Sequence, residues 1–318
     1  MSIPTTQEGA TATFNSLQPF VARNFQQSRV QGTFSIGGVS LRLSGNVLNE
    51  TDVGDELRQF RSPECDVDIE VNLCWADVLH ARTERPIFES GATWKLFSGC
   101  DELIFEFASP LFGSQPFKIM RVDRSFSRAE VVLSRTALQH FPTISPVEYP
   151  VCELLITNYL AHRGLGIEVH ACGLVDSETG GHLFLGHSGA GKSTSARVWQ
   201  SERAPQILSD DRIILRLEHG ELWMYGTPWH GEAAFALPGK ARLSRIHILR
   251  HGVRNKLMAL GHGRAVAEVF ARSFPPFHSA PAIDHAIEFL NRALNVVSCH
   301  EFQFVPDSSA VAAILSSY

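Results

Sequence analysis

Gly186-His187-Ser188-Gly189-Ala190-Gly191-Lys192-Ser193 is the stretch that decides how this chain is read. Its glycine spacing and Lys-Ser ending are those of a phosphate-binding P-loop. Such a loop needs a strand running in and a helix running out. Residues 182–185, His-Leu-Phe-Leu, form a short apolar run directly before Gly186, and residues 192–200 suit a helix. Glycines at 186, 189 and 191 let successive backbone N–H groups turn toward phosphate oxygens. The start of the helix adds its partial positive charge. Lys192 brings a full charge to the β- and γ-phosphates, and Ser193 offers a hydroxyl to Mg²⁺. The loop, extended through Thr194, therefore predicts binding of a nucleoside triphosphate, with ATP and Mg²⁺ as the expected cofactors.

Outward from the loop, two further features could carry chemistry. Ile207-Leu208 enters Ser209-Asp210-Asp211, and residues 213–217 leave it as a strand. P-loop proteins need a carboxylate near the metal; Asp is also common in turns, and one turn can serve both ends. Upstream, residues 167–175 read as a strand that carries His170, a type of position where histidine is commonly just packed or solvated. After a strand at 222–225 come Thr227, His230 and Glu232, in a loop at a strand end, where α/β proteins place ligand contacts. His230 and Glu232 are candidates for substrate or phosphate contacts. Arg245 and Arg250 interrupt an apolar run; Arg245 is a candidate for neutralising phosphate charge, against the plainer reading of a solvated strand face.

The rest of the chain sets bounds. It has 318 residues, 44% hydrophobic and 19% charged, an ordinary globular balance. The net charge of −5 and the lack of a Lys/Arg run argue against nucleic acid as partner. Residues 1–14 are polar and do not read as a secretory signal. No apolar run approaches the roughly 18–20 residues needed to span a membrane. Six cysteines without a C-x-x-C pair fit a reducing cytoplasm rather than zinc or a disulfide framework. His247 and His251 have helical ligand spacing but lie in a stretch that reads as a strand, which argues against a zinc site. Period-two alternation at Val39, Leu41 and Leu43, after a Gly37-Gly38 turn, opens a β-rich region with further strands at 67–71, 103–107 and 129–133. Near Pro146 the pattern changes: Val151, Leu154, Leu155 and Tyr159 fall at helical spacing, predicting an amphipathic helix over 149–162. The expected organisation is a β-rich N-terminal domain, 1–145, for substrate recognition or assembly, and an α/β P-loop domain, 146–318, whose last helices lie over 283–294 and from Asp307 or Ser308 to Leu315.

Taken together, His170, the P-loop and Ser209-Asp210-Asp211 resemble the C-terminal catalytic domain of the HPr kinase/phosphorylase family, which is structurally related to phosphoenolpyruvate carboxykinases. The resemblance covers about residues 150–225, and Tyr225-Gly226-Thr227-Pro228-Trp229-His230-Gly231-Glu232 looks like the divergent HPr-kinase-like members. It implies phosphoryl transfer to a hydroxyl on a peptide, a protein or a small molecule. Asp210 matches the family's catalytic carboxylate, Asp211 would hold Mg²⁺ with Ser193, and His170 would sit close to the transferred group, with Lys192 completing the catalytic set. The roles of the two aspartates can also be exchanged. Family members are oligomeric, which implies a homo-oligomer. Thr194 stands where the HPr-specific enzymes usually carry Glu, His187 replaces their Asp or Pro, and their second glycine-rich signature is missing. These departures argue against HPr as substrate and against the reverse phosphorylase reaction. The alternatives are an ATPase or regulatory module without an acceptor, and a carboxykinase-type or pyrophosphate-using phosphotransferase; the carboxykinase version needs Lys and His metal ligands that the sequence does not offer.

Overall fold

The computed structural model describes residues 30–45, 53–63, 66–91, 93–113, 115–136 and 145–317. The polar stretch 1–14 and Cys65 lie outside the described residues. The chain is mixed α/β, with two large sheets and few helices.

The first sheet holds β1 (Val30–Ile36), β2 (Val39–Gly45), β3 (Ile69–Ala76), β4 (Phe88–Ser90), β5 (Trp94–Ser98), β6 (Glu102–Phe107), β7 (Lys118–Asp123) and β8 (Arg128–Ser134). Their order is β1-β2-β3-β8-β7-β6-β5-β4. Gly37 and Gly38 join β1 to β2 with φ of 60° and 70°. A two-residue hairpin turn with both φ positive is the tight turn that glycine permits. Val39, Leu41 and Leu43 are buried while their neighbours are not, so one face of β2 looks into the core. A single-turn helix, α1 (Asp55–Arg58), sits between β2 and β3.

The second sheet is built from β9 (Gly166–Asp176), β10 (Gly180–Leu185), β11 (Gln206–Ser209), β12 (Arg212–Glu218), β13 (Glu221–Gly226), β14 (Lys240–His251), β15 (Lys256–Ala259) and β16 (Ser298–Phe304). Two long strands are shared. β9 pairs with β12 over Gly166 to His170 and with β10 over Ala171 to Asp176. β14 pairs with β13 at its start and runs parallel to β10 and β16 farther on. The pairings β9-β12-β13-β14-β10-β9 therefore close on themselves. The loop 186–191 leaves the end of β10 at Leu185, and the 209–212 turn leaves β11 beside it.

Helix α2 (Val151–His162) corrects one expectation. It is helical as anticipated but not amphipathic: Val151, Cys152, Leu155, Ile156 and Leu160 are buried, and so are Glu153, Thr157 and Asn158. Its apolar side joins the core of the first sheet with Phe34, Leu41 and Met120. Its other sides meet β9 and α5 (Ala280–Ala293), where His285 Nδ1 lies 3.2 Å from the Ala161 carbonyl. A helix covered on both sides cannot keep a solvated polar stripe. Ile214, Tyr225 and Trp229 of the second half enter the same core. The remaining helices are α3 (Lys192–Arg203), α4 (His262–Phe270) and α6 (Ser309–Leu315). Pro281 stands in the first turn of α5, whose cap Ser279 accepts from the Ala282 N–H. Among the described residues no helix is long and apolar enough to cross a membrane.

Candidate functional site

The loop 186–191 is shaped by its glycines. A Cβ on Gly186 would stand 2.5 Å from the Cβ of Ala190, so that position has no room for a side chain. Gly191 takes a φ of 102° and caps α3; a Cβ there would come within 2.9 Å of the Phe304 ring. No side chain caps α3, which leaves its first N–H groups facing the loop. His187, Ser188 and Gly189 are exposed and Gly186 is buried, so the loop opens outward from a fixed base. Lys192 is 7% exposed and curls into the loop, donating to the carbonyls of Gly186 at 3.1 Å and His187 at 3.4 Å. Burial pulls its pKa below the usual lysine value, and the nearby Asp211 and Asp210 carboxylates oppose that pull. Thr194 lies in the first turn of α3, half-buried.

The two aspartates of the 209–212 turn take different partners. Ser209 Oγ accepts from the N–H groups of Asp211 and Arg212 and so ties the turn down. Asp210 is 1% exposed. Its Oδ1 accepts from the amides of Gly231 at 3.0 Å and Phe235 at 3.3 Å, and its Oδ2 from Ala233 at 3.0 Å and Ser193 Oγ at 3.4 Å. Asp211 faces β9, where His170 Nε2 lies 2.9 Å from its Oδ1. Burial pushes the Asp211 carboxyl up, but the hydrogen bond from His170 and the charges of Arg212, His170 and Lys192 outweigh it and hold it below the usual range. Of the two assignments the sequence left open, these contacts match the exchanged one: Ser193 meets Asp210, and the partly open Asp211 belongs with His170. The reason is local, since consecutive residues on a turn project in different directions. Cys172, fully buried nearby, has its thiol pushed up to about 12 by burial and stays protonated.

The other candidates divide. The loop after β13 reaches the site through its backbone, whose amides at 231, 233 and 235 cradle Asp210. Glu232 itself is exposed. His230 turns toward the first half of the chain: its Nε2 lies 3.1 Å from Glu56 on α1. The Gly231 carbonyl raises its pKa above the ordinary value, with Glu56 adding to this against burial. Thr227 donates to the Arg212 carbonyl at 2.8 Å, a structural bond. Arg245 is not brought to the loop. It pairs in register with His182, three residues before the end of β10, and its guanidinium bonds the hydroxyl and carbonyl of Ser317.

Four residues at the site escaped the sequence reading. Arg272 is 5% exposed; its guanidinium lies 3.2 Å from His187 Nε2, and its carbonyl accepts from the His170 N–H at 2.7 Å. Arg212 holds a cluster of acids, with its Nε 3.3 Å from Glu153, 3.4 Å from Glu168 and 3.5 Å from Asp211, while its guanidinium lies 3.8 Å from the centroid of the Phe274 ring. Arg212 alone carried a local signal, adjacency to the aspartate pair. Among the described residues, no three His, Cys, Asp or Glu side chains form a metal-sized cluster.

No family model and no curated protein matches the chain. Among solved structures, the Hpr(Ser) kinase/phosphatase from Coxiella burnetii is similar over 47% of this chain and 95% of its own, at 12% identity and a TM-score of 0.28. A likeness at that score decides nothing about the fold or the activity, and the site stands on its own residues.

Proposed function

We propose that this chain is a Mg²⁺- and ATP-dependent kinase that moves the γ-phosphoryl group to a hydroxyl. One observation carries the reading. The serine of the 186–193 loop and the aspartate turn form a single network, Ser193 to Asp210 at 3.4 Å, with Asp211 held by His170 at 2.9 Å. The sequence resemblance to HPr-kinase-like enzymes points the same way.

The residues fit both expected partners. The loop has glycines where side chains would clash, uncapped helix amides, and a lysine already inside the curve. Mg²⁺ is held through one or two carboxylates with the rest of its shell from waters and phosphate oxygens. Asp210 and Ser193 are such a donor set, and it needs no larger cluster. Bound there, the metal would neutralise phosphate charge.

The remaining work belongs to the chain itself. Asp211, ionised at neutral pH by its depressed pKa, accepts the proton of the acceptor hydroxyl. His170 fixes the orientation of that carboxylate. The acceptor oxygen bonds to the γ-phosphorus as the bond to the β–γ bridging oxygen breaks, and ADP leaves with that electron pair. Lys192 and the loop amides offset the charge on the phosphates. The test is to follow labelled γ-phosphate from ATP across serine peptides and small alcohols. Label recovered as a phosphate ester supports the reading; label recovered solely as inorganic phosphate overturns it.

A further inference from the structure

A cavity of about 290 Å³ lies between the two halves of the chain, next to the His170–Asp211 pair. Its walls include Phe88 and Trp94 from the first sheet, Glu153 and Asn158 from α2, Glu168 from β9, and Arg212. Glu168 and His170 are two positions apart on β9 and so share a face of that strand. Arg212 is the common wall, touching Glu153 and Glu168 on one side and Asp211 on the other. The volume lies at the small end of the range for ligand pockets and suits a small molecule.

The polar atoms of this cavity are lopsided. Glu168 is 1% exposed; its carboxyl faces Arg212 Nε at 3.4 Å and shares a hydrogen bond with the Glu153 carboxyl, and no N–H donates to either of its oxygens in hydrogen-bond geometry. Asn158 is 1% exposed; its amide nitrogen donates to the Leu154 carbonyl at 2.8 Å, which fixes its orientation and leaves Oδ1 unsatisfied. Asn158 Oδ1 therefore lacks a donor, and the Glu153–Glu168 pair faces one guanidinium with two acids; buried acceptors short of donors are costly. Charge is lopsided too, since Glu153, Glu168 and Asp211 share the single guanidinium of Arg212. Burial drives the Glu168 carboxyl well above its ordinary range and raises Glu153 as well, as expected of acids short of counter-charge.

We propose that this cavity is the acceptor pocket and that it takes a small primary amine bearing a hydroxyl, the ammonium set against Glu168, Glu153 and Asn158 and the hydroxyl directed past Arg212 to Asp211. An ammonium supplies three donors and no acceptor, the complement of what the cavity lacks. A neutral polyol brings acceptors as well as donors, and a carboxylate would meet acids. The stacked rings of Phe88 and Trp94, 5.4 Å between centroids, add an aromatic face that favours a cation. The role as acceptor pocket rests on the kinase reading, whereas the choice of amine rests on the cavity alone. Transfer would give a phosphate monoester of the aminoalcohol and ADP, with the ammonium unchanged.

The experiment uses matched pairs that differ by one amine: serinol against glycerol, and glucosamine against glucose. Binding to the full chain is measured by saturation-transfer NMR and calorimetry, first without nucleotide and then by label transfer from ATP. At least one amine should bind tenfold or more tighter than its neutral partner. Glu168→Gln should reduce that preference severalfold, and Trp94→Leu should weaken amine binding while leaving ATP binding intact. A Lys192→Ala chain should bind ATP about 100-fold more weakly and keep amine binding, which separates the pocket from the nucleotide site. Equal binding of both members of each pair, binding of neither, or a preference that survives Glu168→Gln and Trp94→Leu overturns the amine assignment. An amine that binds in the wild type but never receives label leaves the ligand class standing and removes the acceptor role.

Discussion

Replacing each aspartate of the 209–212 turn by asparagine should separate stability from chemistry. Asp210 is buried and accepts from three backbone amides and Ser193 Oγ. Asparagine keeps one acceptor oxygen and turns an NH₂ toward at least one of those amides. The change removes a hydrogen bond to a charged group, about 1.5–3 kcal/mol, and sets donor against donor. A cost of about 3 kcal/mol follows, which in a chain of 318 residues lowers the melting temperature by about 4–5 °C. Asp211 is different: its side chain is 27% exposed, and an asparagine can still accept from His170. Asp211→Asn should cost under about 1 kcal/mol but lower transfer by about 10²–10⁴-fold, the usual contribution of a positioned general base. Thermal unfolding of both variants, alongside labelled-phosphate transfer, reads the two effects. If Asp210→Asn melts with the wild type while Asp211→Asn loses several degrees, the division of roles argued from the turn is wrong.

Lys192→Ala should leave unfolding unchanged within about 1 kcal/mol and weaken ATP binding about 100-fold, since a charge-assisted contact is worth about 3 kcal/mol; titration with a fluorescent ATP analogue checks this. Gly191→Ala should destabilise the loop by about 1–3 kcal/mol, because its φ of 102° is left-handed and the Phe304 ring stands 2.9 Å from the added carbon; urea unfolding and ATP titration should both register the loss. Asp176, 2% exposed, has its carboxyl held at about 2: burial pushes it up, but bonds from Arg203, Thr179 and the Thr179 and Glu178 amides prevail. A folded-state value below the reference of 3.8 stabilises the fold above that reference, by about 2 kcal/mol, and is lost as pH falls toward 2. Wild type and Asp176→Asn should therefore differ in urea unfolding at pH 7 and converge as pH falls through 2.

The strand and helix on either side of the 186–191 loop were legible because their signal is contained within about twenty residues. The strands expected at 67–71, 103–107 and 129–133 correspond to β3, β6 and β8, where apolar residues alternate with polar ones in β3 and outnumber a single acid in 103–107 and 129–133. β7 was missed because Lys118 and Arg121 interrupt it; both are buried, Lys118 donating to the Ser145 carbonyl and Arg121 clamping Glu102. At the site, the aspartate turn could be located but not oriented, since adjacent residues look alike to any periodicity. Arg272 and Glu168 reach the centre through the bridge between Val169 and Ser273 and through the Phe274 N–H bond to the Glu168 carbonyl, contacts across about a hundred residues that leave no local pattern. The polar side of α2 read as solvent-facing, whereas it lines a buried cavity.

That helix also bears on modularity. A cut at 145/146 looks natural from composition, yet α2 inserts Val151, Leu155 and Leu160 into the core that begins with β1, and Trp229 from beyond β13 joins them. The core of the first sheet is thus completed from beyond the cut, whereas two further cores draw only on residues 167–315. Recombining this P-loop half with a foreign N-terminal sheet would require that sheet to accept α2 as its missing layer.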